Sequence, residues 1–305
     1  GWNIEEEWVV WVPGAVVALN LACKTALAPG EIVVTPSPIY APFDDASENM
    51  ARGMVKNFLI DNNGRMELDF DATEELLCKD TKMLFFCNPH NPGGTVFNQK
   101  EITKLVEICE KHNITICSDE IHCDLILQDD LKHLHLASLN EYAKQNSITI
   151  LGPCKTFNLA GFPLAASIIP NKELREDFIR NTKGIVSHID NLAFVASTAA
   201  YKYAGEWHKE LIEYLKENKN ILIEGLNKID GLSLSGPEAG FLAWVDCRET
   251  GLDTPGDFFI NHAGVGVYDG SWFGREGYIR LNFGCPRSVL EESIERIQKA
   301  FSQRN

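Results

Sequence analysis

The chain of 305 residues is short of positive charge: 28 Lys and Arg stand against 43 Asp and Glu, a formal net charge of −15. That balance argues against non-specific nucleic-acid binding and against an anionic membrane surface, while leaving room for a local basic pocket for a small anion. The chain also lacks any apolar run approaching the ~20 residues of a membrane helix, and no signal-peptide pattern stands at its start. It has no C-x-x-C pair. Its nine cysteines, an odd number, are scattered through mostly apolar segments, the pattern of reduced core thiols in a cytoplasmic protein rather than of a disulfide frame. Its eight histidines do not stand at zinc-ligand spacing. His133 and His135 flank Leu134, but no cysteine or further histidine completes a set, so no metal is expected. Internal repeats, low-complexity tracts and long Gly/Ser linkers are missing as well. The start, Gly1-Trp2-Asn3, runs almost at once into an apolar stretch, and a natural N-terminal segment is expected to be missing ahead of it.

What is present suits a globular protein with a large domain and a smaller one: 45% hydrophobic and 23% charged residues. Short β-rich runs are read near Trp8–Val12, Glu31–Thr35, Met54–Phe58, Met83–Cys87, Ile114–Ser118, Ile148–Leu151 and Ala165–Ile169. Several are almost continuously apolar, as expected of strands covered on both faces. Helical patterns lie between them, among them Gly14–Ala28 and Gln99–His112, the latter with Ile102, Leu105, Val106 and Cys109 on one face. The expected class is α/β, a mixed, mostly parallel seven-stranded sheet between helices, with ligands binding beyond the carboxyl ends of its strands. After about Ile189 the pattern changes. Two long helices, Asn191–Tyr203 and Glu206–Leu226, precede short antiparallel strands near 240–245 and 278–282 and a last helix, Val289–Phe301. The large domain is placed at 1–203 and a smaller α+β domain at 204–305.

Five local patterns carry possible chemistry. Lys155 follows the run Ser147–Leu151 and a Gly152-Pro153 break. A lysine at the end of a buried strand is either a surface residue or an amine with a task, such as forming a Schiff base with a carbonyl. Pro13-Gly14-Ala15-Val16-Val17 leads from the first strand into a helix whose N-terminus suits a phosphate, unless it is only a turn. Cys87-Asn88-Pro89-His90-Asn91-Pro92-Gly93-Gly94 makes a tight loop that is a plain turn or a frame for two amide side chains. In Ser118-Asp119-Glu120-Ile121-His122, a carboxylate leaving a buried strand needs a cation, either a protonated heteroaromatic nitrogen or Lys155 itself. His122 is a satisfied core histidine or part of the site. Arg280, in Tyr278-Ile279-Arg280-Leu281-Asn282, offers a planar fork for a carboxylate or makes a cross-strand salt bridge.

Taken together and in this order, the motifs resemble the fold-type I pyridoxal 5′-phosphate (PLP) enzymes, the class I/II aminotransferase superfamily, over essentially the whole chain. The run Cys154-Lys155-Thr156-Phe157-Asn158-Leu159-Ala160-Gly161 is most similar to the cystathionine β-lyase-like C–S lyases, which place serine where Cys154 stands. The resemblance makes 1–203 the PLP-binding domain and assigns Lys155 the Schiff base with PLP. Asp119 would pair with the pyridinium nitrogen, Asn91 would donate to the ring hydroxyl oxygen, and Tyr40, in Pro38-Ile39-Tyr40-Ala41-Pro42-Phe43, would stack on the ring. Backbone groups of Gly14, Ala15 and Val16, with a weak contribution from Cys154, would hold the phosphate. His122 would lie near the ring hydroxyl and Arg280 would bind the substrate α-carboxylate. Once freed, Lys155 would act as base at Cα if desolvation and nearby positive charge lower its pKa.

Many aminotransferases of the superfamily carry an arginine soon after the lysine. Here that stretch is Phe162-Pro163-Leu164-Ala165-Ala166, which favours the lyase branch. The implied activity is α,β-elimination from cystathionine, cysteine or related S-substituted cysteines to pyruvate, ammonia and a thiol. An amino-acid aminotransferase is the alternative reaction, and a regulatory binding protein that retains the PLP fold is the alternative of another class. A homodimer follows from the resemblance.

Overall fold

A computed structural model describes residues 2–304. The chain runs through β1 (Val9–Val12), α1 (Ala15–Ala26), β2 (Ile32–Ser37), α2 (Pro42–Asn49), β3 (Gly53–Phe58), β4 (Ile60–Asn62) and β5 (Arg65–Glu67). It continues with α3 (Phe70–Leu76), β6 (Thr81–Cys87), α4 (Gln99–His112), β7 (Thr115–Asp119), α5 (Glu141–Gln145), β8 (Ser147–Leu151) and β9 (Ala165–Ile168). Then come α6 (Lys172–Thr182), α7 (Asn191–Tyr203), α8 (Gly205–Leu226), β10 (Leu242–Asp246), α9 (Pro255–Asn261), β11 (Tyr268–Asp269), β12 (Tyr278–Asn282) and α10 (Arg287–Ser302).

Seven strands form one sheet in the order β1-β9-β8-β7-β6-β2-β3. The pairs from β3 through β2, β6 and β7 to β8 are parallel, while β9 runs antiparallel to both β8 and β1. The α/β class and the mixed, mostly parallel sheet expected from the sequence are therefore observed. Apolar cores lie on both faces of the sheet. Leu19, Ala22, Phe43 and Phe178 pack with Phe85, Cys117 and Ile150 on one side; Ile102, Leu105 and Val106 pack with Leu84, Phe86 and Ile116 on the other. That double coverage is why the central strands read as unbroken apolar runs. The start of α4 is set locally. Asn98 accepts from the Glu101 N–H at 3.1 Å while the Glu101 carboxylate accepts from the Asn98 N–H at 2.8 Å, a reciprocal cap.

The C-terminal sheet β10-β12-β11 is antiparallel and packs with α8 and α10 around Leu215, Leu222, Ile279, Leu290 and Ile297. Leu125 and Leu127, far earlier in the chain, belong to this same core. Conversely, Trp244 and Tyr278 pack into the core beside α4. The two sheets thus share packing. One consequence for the site is decisive: β1, β2, β6, β7 and β8 all deliver the residue that follows their carboxyl ends to one edge, and β12 faces that edge from the other side.

Candidate active site

Every residue that the resemblance assigns to the PLP and substrate site lines one cavity of about 410 Å³ at that edge, within the usual size of a small-molecule site. Gly14, Ala15 and Val16 follow β1, Tyr40 follows β2, Asn91 follows β6, Asp119 closes β7 and His122 follows it, Cys154 and Lys155 follow β8, and Arg280 comes from β12. A second cavity of about 520 Å³ shares Cys154, Lys155, Ala160, Phe241 and Asn282 with the first, and its other walls include Trp207, Leu211, Tyr214 and Leu215.

Asp119 is 5% exposed, and its Oδ1 accepts from the Ile121 N–H at 3.1 Å. Burial pushes its carboxyl up to about 6, against the pull of that N–H and of the Lys155 charge. Among the described residues it has no ion-pair partner, so the structural pairing with Lys155 weighed from the sequence is not formed. A cation entering the cavity beside it would be stabilised. His122 is buried, edge-on to Phe241 at 5.9 Å, and its Nδ1 has no hydrogen-bond partner. Burial, then the Lys155 and Arg280 charges, lower its pKa to about 3. It is therefore a neutral ring with an unpartnered nitrogen on the cavity wall, not a satisfied core histidine.

Arg280 donates from Nη1 to Asn91 Oδ1 at 3.0 Å, and its guanidinium lies 4.6 Å from the Phe273 ring centre and 4.8 Å from that of Tyr268. The cross-strand salt bridge weighed for it is absent among the described residues. Aromatic walls hold a partly desolvated cation with no anion of its own, the state suited to capturing a carboxylate. Asn91 spends its oxygen on Arg280, which leaves its NH2 group to donate elsewhere. This link between two site residues was not visible in the sequence.

At the other end, Gly14 has φ of 106°, a conformation for which glycine is suited, and caps α1. Its own N–H donates to Val12 O at 2.8 Å, so it is not free for an anion as expected. The Ala15 and Val16 N–H groups, in the first turn of the helix, lack intrahelical acceptors and remain available. The Cys154 thiol donates to the Leu164 carbonyl at 3.3 Å. It walls the cavity with its donor already engaged. Lys155 departs from expectation as well: it lies four residues beyond β8 on the wall between the two cavities and is exposed, not desolvated. Sequence reasoning missed Phe241, Pro163 and Asn282 on the walls. Asn282 carried a usable signal, since alternation along β12 puts it on the face of Arg280.

Beside the cavity, Glu120 points away from Asp119 into the protein. There it meets His133 Nε2 at 2.9 Å and His135 Nδ1 at 2.6 Å. The spacing of the histidines revealed no ligand set because the third member comes from β7's end rather than from a histidine or cysteine. Burial alone would raise the Glu120 pKa, but hydrogen bonds from the two histidines overcome it and hold the carboxyl down to about 2.

The residues present fit PLP. Helix-terminal N–H groups suit its phosphate, the buried unpaired Asp119 suits a protonated ring nitrogen, the orphaned His122 Nδ1 stands nearby, and Lys155 offers an amine to its aldehyde. This is the arrangement of a fold-type I PLP enzyme. The family described as Aminotransferase class I and II matches residues 2–297. Cystathionine beta-lyase PatB of Bacillus subtilis is 34% identical, with the match covering 99% of this chain and 80% of PatB. The crystal structure of OvoB is 40% identical with a TM-score of 0.97, covering 99% of this chain and 79% of OvoB. That of cystalysin from Treponema denticola, which contains PLP, is 31% identical with a TM-score of 0.96, covering 100% of this chain and 79% of cystalysin. The chain belongs to the class I and II aminotransferase family, in its C–S lyase-like branch.

If Arg280 holds the substrate carboxylate, Arg280→Ala is expected to raise KM by roughly 10- to 100-fold, the worth of a charge-assisted contact, with a smaller change in kcat. Steady-state kinetics check this, and an unchanged KM rejects the assignment.

Proposed function

We propose that the protein is a PLP-dependent C–S β-lyase that eliminates a thiol from S-substituted cysteines, giving pyruvate and ammonia. The observation that carries the reading is the placement of Lys155, Asp119 and Arg280 on one cavity wall, with the largely apolar second cavity opening directly beside Lys155. When bound, PLP would supply an electron sink for the charge left at the substrate's Cα. Arg280, braced by Asn91, holds the α-carboxylate and so fixes which bond at Cα faces Lys155. Lys155 Nζ takes the Cα proton. Asp119 would keep the proton on the ring nitrogen, and the Ala15 and Val16 N–H groups would hold the phosphate. The second cavity gives the sulfur substituent room to leave. Among the described residues, no cationic side chain joins Gly14, Ala15, Val16, Cys154 and Pro163 at the end of the cavity proposed for the phosphate.

The reading includes a cytoplasmic homodimer. All nine cysteines are free thiols, and no helix among the described residues is long and apolar enough to cross a membrane. Ile185, Leu192, Val195 and Tyr203 are exposed on and beside α7, a surface suited to a second subunit. Incubation with cystathionine and PLP, without any 2-oxo acid, is expected to release pyruvate continuously, as followed with lactate dehydrogenase. No pyruvate without a 2-oxo acid, together with amination of a 2-oxo acid once one is added, rejects elimination in favour of transamination.

A further inference from the structure

We propose that Glu120, His133 and His135 form a binding site for one divalent transition-metal ion of the zinc class. Glu120 Oε2 meets both His133 Nε2 and His135 Nδ1, and one ligand atom from each of the three residues lies within 4.8 Å of the others. Two imidazoles and one carboxylate are a ligand set that zinc accepts, with a fourth position left to water. Ligands held ~2.0–2.2 Å from a tetrahedral ion stand roughly 3.3 Å apart. The observed 2.6 and 2.9 Å contacts therefore open by about half an ångström when the ion replaces the shared protons.

The surroundings support this. Glu120 Oε1 is fixed by the Ser118 hydroxyl at 2.8 Å and the Leu136 N–H at 3.0 Å, which leaves Oε2 for the ion. Such outer contacts orient a metal ligand. Asp124 adds a second negative charge near His135. The His135 side chain is 28% exposed and provides the route in. One feature weakens the site. With the ion on Nε2, His133 carries its proton on Nδ1, which is buried and has no acceptor. A missing outer partner costs roughly 10- to 100-fold in affinity, so a dissociation constant of about 1 µM is expected rather than that of a tight structural zinc. The bound ion would tie the loop carrying both histidines to the turn between Asp119 and His122, away from the PLP cavity.

The test uses the PLP-loaded protein, stripped with a chelator and titrated with Zn²⁺ by calorimetry, with Mg²⁺ in parallel. It needs no substrate, so its outcome is independent of the lyase reading. The expected result is a micromolar site of unit stoichiometry for Zn²⁺, none for Mg²⁺, and a Tm that rises with Zn²⁺. His135→Ala, at the solvent-reachable ligand, should weaken that site at least tenfold and remove the Tm response. Zinc binding of equal affinity in wild type and His135→Ala would place the ion on the thiols and overturn the proposal, as would no micromolar site in wild type. If His135→Ala does not fold, His135→Gln is judged by the same criterion.

Discussion

Lys155→Ala is expected to lower kcat for pyruvate formation by ~10³-fold or more, since both the covalent tie to the cofactor and the base at Cα vanish together. The variant is a clean test because of where the side chain stands. Lys155 is exposed on the wall between two cavities and forms no ion pair among the described residues, so its truncation breaks no salt bridge. The protein should keep its far-UV circular dichroism and, free of cofactor, a Tm close to wild type. PLP should still bind through the helix terminus and Asp119, but borohydride should no longer fix it to the chain, as read by mass spectrometry. A variant that keeps a tenth of wild-type kcat, or still becomes covalently labelled at this position, removes Lys155 from the chemistry.

Much of this site was legible because most participants sit at or just past a strand end marked by local punctuation: Gly14 after β1, the Asn-Pro pairs after β6, Asp119 closing β7, Gly152-Pro153 before Lys155. Long elements were legible for the same reason. The α4 helix, Gln99–His112, has a reciprocal cap at its start and a full apolar face. What escaped depends on contacts between distant residues. The Asn91–Arg280 hydrogen bond spans 189 positions, and nothing local in either motif announces it. The triad of Glu120 and two histidines joins a strand end to a loop. Leu125 and Leu127 lend themselves to a core formed mainly by the last hundred residues. The β4–β5 hairpin was missed although Asn63 and Gly64, with φ of 51° and 86°, are a strong turn signal. Its strands are only three residues each and carry too little alternation to register. The short α2 begins at Pro42, where proline fits the first turn of a helix but reads as a breaker in a search for periodicity.

Asp119→Asn should produce the other large effect, with a signature in pH that a merely structural residue would not give. In the cofactor-free protein burial raises this carboxyl from 3.8 to about 6. Below pH ~4 the group is protonated in folded and unfolded chains alike, and the folded state loses nothing. As pH rises through 6 the unfolded chain has already released its proton, and the folded chain must ionise a buried acid. The shift of about two units corresponds to about 3 kcal/mol of stability lost over that window. A cationic ring nitrogen beside Asp119 offsets this cost. The gain in Tm on adding PLP should therefore grow between pH 5 and 7.5, by an amount on the order of 5 °C for this contribution. His122 acts in the opposite sense. Its pKa is lowered to about 3, so it contributes stability above pH ~6.5 that is lost as pH falls toward 3. Because His122 is present in both proteins, the comparison that isolates Asp119 is the PLP-induced change in Tm of wild type minus that of Asp119→Asn at each pH. That difference should rise with pH, and kcat of the variant should fall by about 10²- to 10³-fold at neutral pH, the usual cost of removing a charge-stabilising group from a buried site. A difference that stays flat from pH 5 to 7.5 would mean that the buried acid does not face the charge of the cofactor.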